Sequence, residues 1–167
     1  MFINPKIAVD EGWITGIRDP DKQIQPNAVD FTVDKLTRVG NEIIAIGEKS
    51  KNFRSANVVA EEDLYWTLHQ GSCYDAVSDM YVKIPSGIAA YLIMRSTFTR
   101  NGLFIHSGLY DSGFEGHIGC VIHNPAGITR LGIGTRLGQI IFVESDSAKL
   151  YAGGFNHAQD THWKGGY

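Results

Sequence analysis

The sequence predicts an all-β domain, built as a sandwich or a barrel, and two observations support this class. Nineteen glycines, standing singly or in pairs, divide the 167 residues into short segments rich in Val, Ile, Thr, Tyr and Phe. Such punctuation is typical of many short strands joined by turns. Apolar residues rarely recur with a helical period. The length is sufficient for one domain with a substantial core.

Strand-like composition between turn residues identifies eight candidate strands. In chain order they are 28–33, 42–46, 65–68, 74–81, 89–94, 103–106, 117–123 and 139–144. Helical signals are weaker: a helical turn is expected within the first twenty residues, and one short helix is expected over 96–101. The predicted domain is therefore almost entirely made of strands.

The last sixteen residues, 152–167, differ from the rest of the chain. They are rich in Gly and His, hold three aromatic residues and show no apolar period. A segment with so little apolar surface has little to pack with. We therefore expect a β domain over 1–151 and a mobile carboxy-terminal tail over 152–167.

Composition excludes several classes of protein. The hydrophobic fraction of 43% and the charged fraction of 20% are ordinary for a globular domain. No apolar run approaches the roughly 18 residues that suggest a membrane span, and no secretory signal is visible. Cys73 and Cys120 are expected as reduced, buried thiols. We therefore expect a cytoplasmic protein without membrane contacts, and the net charge of −3 argues against a nucleic-acid partner.

The stretch from Met94 to Gly116 combines a basic, hydroxyl-rich cluster with an acidic turn. The cluster holds Arg95, Ser96, Thr97 and Arg100. Guanidinium and hydroxyl groups together can donate to several phosphate oxygens. The glycine-rich segment that follows carries Asp111, whose carboxylate could activate a water molecule, with Phe114 three residues later. This order of residues indicates a phosphate-binding cluster beside an acidic residue.

Six motifs in one order extend this pattern over most of the chain. They are 24–31 (IQPNAVDF), 68–71 (LHQG), 84–88 (IPSGI), 95–102 (RSTFTRNG), 108–116 (GLYDSGFEG) and 134–142 (GTRLGQIIF). With these motifs the chain resembles the dUTPase and dCTP deaminase superfamily, and it looks closest to the deaminase-like branch. The resemblance implies a distorted β-barrel or jelly roll of the dUTPase type. It also implies a homotrimer with nucleotide sites at the subunit boundaries, each closed by a tail.

The resemblance also implies a substrate-binding set for a deoxypyrimidine nucleoside triphosphate. Its members are Arg95, Ser96, Thr97, Arg100, Gly108, Tyr110, Phe114, Gln139, Phe155 and His162. The basic motif and Gln139 would hold the triphosphate, and His162 would contact phosphate from the tail. The hairpin from Gly108 to Ile118 would read the pyrimidine, largely through its backbone. Phe114 would lie against the deoxyribose, and Phe155 would stack on the base.

The two activities of the superfamily need different residues. Hydrolysis of dUTP to dUMP and pyrophosphate needs the hairpin aspartate, here Asp111, with Mg²⁺ carried by the triphosphate and no metal bound directly by side chains. Deamination needs a proton-shuttling glutamate five residues after the last hairpin glycine, and Val121 stands there. The H-x-E and C-x-x-C pieces of zinc deaminases are absent as well. The sequence therefore predicts a dUTP diphosphatase with Asp111 as its catalytic residue.

Two alternatives stay open. A dCTP deaminase, or a bifunctional deaminase and dUTPase, could use His123 or a water in place of the glutamate, since a histidine can shuttle protons. A nucleotide-binding regulator without catalysis is favoured by the atypical tail. The identity of the base, uracil, cytosine or a modified pyrimidine, is also open because backbone readout leaves no mark in the sequence.

Overall fold

The structure is a computed structural model that describes residues 1–48, 50–154 and 156. The helices are α1 (Pro5–Asp10), α2 (Pro20–Gln23) and α3 (Ser96–Arg100). The strands are β1 (Ile14–Thr15), β2 (Val29–Thr32), β3 (Lys35–Val39), β4 (Ile46–Gly47), β5 (Ser50–Lys51), β6 (Ala56–Val58), β7 (Glu61–Glu62), β8 (Tyr65–Leu68), β9 (Ser72–Lys83), β10 (Ile88–Met94), β11 (Phe104–His106), β12 (Glu115–Asn124), β13 (Thr129–Gly132) and β14 (Arg136–Glu144). Within these residues no helix has the length and apolar character needed to cross a membrane.

The strands form antiparallel sheets arranged around two long strands. The largest sheet has the order β11-β12-β9-β3-β6, and β1 also pairs with β9. A second sheet has the order β10-β14-β2, and a third has the order β13-β8-β7. Strands β4 and β5 pair with each other. Since β12 and β9 lie in the middle of the largest sheet, their side chains decide what faces the space beneath the β11–β12 connection.

The core lies between the sheets and is dominated by large apolar side chains. Phe31, Tyr74, Met80, Ile118 and Phe142 are all at most 1% exposed. Burial of side chains of this size contributes roughly 1.5–3 kcal/mol each relative to exposure. The packing fixes β2, β9, β12 and β14 against one another, so the loops that leave these strands start from rigid positions.

The predicted all-β class is confirmed, and most candidate strands are found with shifted ends. The segment 65–68 matches β8, and the short helix expected over 96–101 is α3. The strand predicted over 42–46 is wrong. Residues 41–45 have no regular structure, and Ile43 is fully exposed. Of the predicted segment, Ile46 alone belongs to a strand, β4. The nearby β3, which pairs with β9, was missed by the sequence analysis.

Gly138 on β14 marks the closest approach between β14 and its neighbours. A Cβ atom at this position would lie 2.6 Å from Cε1 of Phe31 and 2.7 Å from the carbonyl oxygen of Ile93. The backbone oxygen cannot move without breaking the β10–β14 ladder. Only glycine therefore fits here.

We expect Gly138→Ala to lower the free energy of unfolding by about 1–3 kcal/mol, the usual cost of overpacking a core. Urea unfolding would measure the change. Gly127→Ala is the matched control, because a Cβ atom at Gly127 meets nothing within 4 Å. Equal stabilities of the two variants would contradict the close approach.

Candidate functional site

A cavity of about 440 Å³ lies under the loop that joins β11 to β12. Its lining residues come from the loop, from β9, β11 and β12, and from two distant segments: Phe53, Asp75, His106, Ser107, Gly108, Leu109, Tyr110, Phe114, Gly119, Cys120, Val121 and Tyr151. The volume lies within the range of small-molecule sites. Three members of the predicted substrate-binding set, Gly108, Tyr110 and Phe114, line this cavity. It is the candidate site for the base and sugar of a nucleotide.

Tyr110 anchors the loop to both neighbouring sheets. Its backbone pairs with Ala90 through two hydrogen bonds of 2.8 and 2.9 Å. Its hydroxyl donates to the Gly119 carbonyl and accepts from the Gly119 amide, each at 2.9 Å. Burial raises the pKa of the Tyr110 hydroxyl, so the phenol stays neutral. These hydrogen bonds fix Tyr110 in the cavity wall. Readout of a pyrimidine by the backbone of the hairpin from Gly108 to Ile118 stays a prediction.

Phe114 lies between two tyrosine rings at the edge of the cavity. Its ring centroid is 5.1 Å from that of Tyr110 and 5.6 Å from that of Tyr151, both in edge-to-face geometry. Such pairs stabilise an arrangement beyond the area they bury. Tyr151 is held here because its amide donates to the Ser112 carbonyl at 2.7 Å. The three rings form a rigid apolar wall at the position predicted for the sugar contact.

Asp111 lies on the tight turn between Tyr110 and Phe114 and is not among the residues that line the cavity. The Phe114 amide donates to the Asp111 carbonyl at 3.0 Å, and Gly113 has a φ of 86°, which favours glycine in the turn. The Asp111 side chain is exposed and borders a second space of about 580 Å³, shared with Ser147, Lys149 and others. Tyr151 lines both spaces. The predicted catalytic carboxylate thus borders the second space and not the cavity itself.

The basic motif forms a separate cluster around a buried carboxylate. Asp30 is 1% exposed and binds Arg136 at 3.0 Å, Arg95 at 3.5 Å and the Gln139 side-chain amide at 2.9 Å. Arg95 also donates to the Arg136 carbonyl at 3.2 Å. Two guanidinium groups around one carboxylate leave a net positive charge. The structure therefore places Arg95 and Gln139 on one carboxylate, that of Asp30, together with Arg136, and the sequence analysis assigned no role to Asp30 or Arg136.

The residues of the basic motif and the residues that line the cavity form two separate sets within the described chain. Ser96, Thr97 and Arg100 are exposed on α3, which buries none of its residues. None of the basic-motif residues lines the cavity. His123, the alternative proton shuttle, does not line it either. Phe155 and His162 lie outside the described residues.

The acidic and imidazole side chains of the cavity wall are among the residues that the sequence analysis missed. Asp75 on β9 and His106 on β11 are the register partners of Val121 on β12. Directly opposed residues of antiparallel strands project to the same face. Asp75 is 2% exposed, between Tyr74 and Ala76, which are also buried. The sequence signal that could have identified Asp75 is an acidic residue within a strand that is buried on both faces.

Cys120, next to Val121, has a thiol shielded from water. Burial raises its pKa to about 12, and the nearby negative charge of Asp75 adds to the shift. Neither Cys73 nor Cys120 forms a disulfide. An unfolded chain releases the thiol proton near its ordinary pKa of 9, whereas the native chain holds it up to about 12. The protonated Cys120 thiol therefore makes its full contribution to the free energy of unfolding below pH 9, and this contribution is lost as the pH rises above 9.

Above pH 9 we expect the free energy of unfolding to fall by up to ~1.4 kcal/mol per pH unit from the Cys120 thiol alone. Tyr110 adds to the loss at higher pH because its pKa is also raised by burial. Urea titrations at pH 8, 9.5 and 11 would measure the slope. Cys120→Ala should show a shallower slope. An identical slope for the two proteins would contradict the burial of an ionisable thiol.

Comparisons with known proteins agree with the motif order. A family model described as dCTP deaminase-like matches residues 4–145. The dCTP deaminase of Acidianus ambivalens is 30% identical over 146 residues, which cover 84% of this chain and 80% of the relative. A probable deoxyuridine 5'-triphosphate nucleotidohydrolase of Halobacterium salinarum is 28% identical over 145 residues, covering 82% and 85%.

The fold is similar to that of a solved deaminase. The crystal structure of 2'-deoxycytidine 5'-triphosphate deaminase from Agrobacterium tumefaciens superposes with a TM-score of 0.68 at 14% identity. The match covers 86% of this chain and 48% of that structure, so the chain spans about half of its length. This similarity confirms the distorted barrel fold that the motifs implied. The relatives carry the names of two different reactions.

Proposed function

Because the chain belongs to the dCTP deaminase-like family, we propose that it hydrolyses the triphosphate of a deoxypyrimidine nucleotide, such as dUTP, to the monophosphate and pyrophosphate. The observation that carries this proposal is the exposed Asp111, which directly follows Tyr110 of the cavity wall and borders the second space, where Tyr151 is shared with the cavity. A carboxylate at that place is accessible to water and to a phosphate chain that leaves the cavity. It can accept the proton of an attacking water molecule.

The cluster around Asp30 is proposed to bind the triphosphate. Arg95 and Arg136 are each about a third exposed, with side chains at 32% and 29%. Asp30 holds one face of each guanidinium group, so the remaining donors can point outward. Preformed guanidinium donors of this kind suit phosphate oxygens. Ser96 and Thr97 are proposed to add hydroxyl donors from the start of α3.

The separation of the cavity from the Arg95 cluster supports a site shared between copies of the chain. One copy would supply the base and sugar cavity with Asp111, and another would supply Arg95, Arg136 and Gln139. A homotrimer, as the motifs implied, provides three such sites by rotational symmetry. In this arrangement the tail beyond 152, including Phe155 and His162, is proposed to close the site.

We propose that Mg²⁺ arrives with the triphosphate and that no side chain binds it directly. Among the described residues, no group of three or more His, Cys, Asp or Glu side chains could surround a metal ion. Mg²⁺ commonly binds through substrate phosphates and keeps several of its water molecules. When bound, the ion would neutralise phosphate charge. The chain itself supplies the guanidinium groups that bind phosphate, the apolar wall of the cavity and the carboxylate that accepts a proton.

The first experiment incubates the protein with Mg²⁺ and, separately, dUTP, dCTP and dTTP, and follows pyrophosphate and ammonia. Pyrophosphate from at least one deoxypyrimidine triphosphate supports the proposal. Ammonia from dCTP without pyrophosphate would replace it by deamination. Nucleotide binding with neither product at any Mg²⁺ concentration would make the chain a non-catalytic binding protein and overturn the proposal.

A further inference from the structure

The segment that follows β14 is fastened to the turn that carries Asp111. Ser112, the next residue of the turn, makes one contact on each side of Lys149. Its hydroxyl oxygen lies 2.7 Å from that of Ser147, and its carbonyl accepts a hydrogen bond from the Tyr151 amide at 2.7 Å. Because residues 147 and 151 are both bound to the residue after Asp111, the backbone of Lys149 is held beside the turn.

Lys149 supplies a positive charge to the second space. It is the only lysine or arginine among the described residues that line either the cavity or the second space. The residue is exposed, and its ammonium group has no hydrogen bond or ion pair within the part of the chain that the structure describes. Asp111 lines the same space. An anionic ligand group in this space therefore has one ammonium group to bind.

The three serine hydroxyls of the second space have no proton left for an anion. The Ser112 hydroxyl donates to the Ile88 carbonyl at 2.5 Å, and a hydroxyl has only one proton. It must therefore accept from Ser147, which in turn accepts from Ser145 at 3.1 Å. Since all three protons are used within the chain, these oxygens offer only lone pairs. Lys149 remains as the cationic donor of the space.

The position of Tyr151 indicates which ligand group enters the second space. Tyr151 lines both the cavity and the second space, so the two adjoin at this residue. In a nucleotide whose base and sugar fill the cavity, the next group is the 5′-phosphate. There it would meet the carboxylate of Asp111, and two negative charges repel. An ammonium group at the same place offsets this repulsion and donates to phosphate oxygens.

We propose that Lys149 binds the phosphate next to the sugar, which is the α-phosphate of a nucleoside triphosphate, in the second space beside Asp111. This inference rests on the proposed function in taking the cavity as the site of a nucleotide. It adds a phosphate contact from the copy of the chain that supplies the cavity. The Arg95 cluster of another copy would then hold the remaining phosphates.

The test measures the binding of three ligands to the full-length protein: deoxyuridine, dUMP and the non-hydrolysable α,β-imido analogue of dUTP with Mg²⁺, each beside its cytosine counterpart. With the better base, the unmodified chain should bind the monophosphate at least roughly tenfold more tightly than the nucleoside. Lys149→Gln removes the charge and should weaken the monophosphate and the triphosphate analogue by roughly tenfold, with the nucleoside unchanged. Lys149→Arg keeps the charge and should stay within about threefold of the unmodified chain.

Lys6→Gln is the matched control for the loss of one exposed positive charge. Lys6 pairs with Asp10 on α1 at 2.8 Å and lines neither space, so its replacement should leave all affinities unchanged. Unweakened monophosphate binding by Lys149→Gln would overturn the assignment. An equal loss of nucleoside binding would do the same, because it would indicate a structural role.

A further comparison needs no variant. Binding of the monophosphate no tighter than that of the nucleoside, in the unmodified chain, would also overturn the assignment. These affinities do not depend on turnover. The expected loss of phosphate binding in Lys149→Gln, found in a protein that releases no pyrophosphate, would therefore refute only the hydrolytic proposal.

Discussion

Replacing Asp111 by asparagine is expected to lower pyrophosphate release by a factor of roughly 100 to 10,000, the usual contribution of a general base. Asparagine keeps the size and polarity of the side chain but cannot take a proton from water. Because Asp111 is exposed on a turn held by backbone hydrogen bonds, the fold should be unaffected. Steady-state rates on the better of dUTP and dCTP would measure the loss.

The matched control for Asp111 is Asp146→Asn, in the exposed segment after β14 that borders the second space. Asp146 lines neither space, so its replacement should leave kcat and KM unchanged. Nucleotide binding by the Asp111 variant should also persist, which separates a catalytic role from a binding role. Turnover by Asp111→Asn within threefold of the unmodified chain would rule out the proposed base.

The second large effect is expected at Asp30, which gathers Arg95, Arg136 and Gln139. Asp30→Ala leaves two guanidinium groups without their common carboxylate. Removing one partner of a fully buried ion pair typically costs about 3–5 kcal/mol. Both arginines keep about a third of their surface in water, so we expect a smaller loss, about 1–3 kcal/mol. We also expect KM for the nucleotide to rise by roughly tenfold or more, because the donors lose their shared orientation.

Asp34→Ala serves as the control for this prediction. Asp34 pairs with Arg18 at 3.4 Å on the surface, where both side chains are about half exposed. Exposed pairs contribute roughly 0–1 kcal/mol. Thermal unfolding and steady-state kinetics of the two variants would be compared. A KM for Asp30→Ala equal to that of the Asp34 variant would mean that the Arg95 cluster does not take part in nucleotide binding.

The extent to which the sequence predicts the fold differs between segments. The segment 65–68 was predicted with its observed ends because Tyr65–Leu68 combines β-forming residues with flanking turns. The segment 42–46 has similar composition and is not a strand, since no neighbouring strand pairs with residues 41–45. Lys35–Val39 has a weaker local signal and forms β3 because β9 lies beside it. Local preference predicts the element type, and pairing decides where the ladder forms.

In the candidate site, too, some features follow from the local sequence and others depend on tertiary contacts. Arg95 and Gln139 were predicted to act together, and they do share Asp30. Tyr110 was predicted to contact substrate, and it lines the cavity with its hydroxyl bound to Gly119 and its backbone paired with Ala90. No pattern in the sequence predicts these hydrogen bonds of Tyr110, since they depend on a contact between a loop and two separate strands.

The sequence alone determined the all-β class, the family and the order of the phosphate and turn motifs, because these depend on residue types at short spacings. The tertiary structure alone decided that Asp75, from a strand more than thirty residues before the turn, faces the same cavity as Val121 and His106. The register between strands that are distant in the chain sets this juxtaposition. Register is the outcome of packing the whole sheet, since a shift by one residue would turn Asp75 to the opposite face.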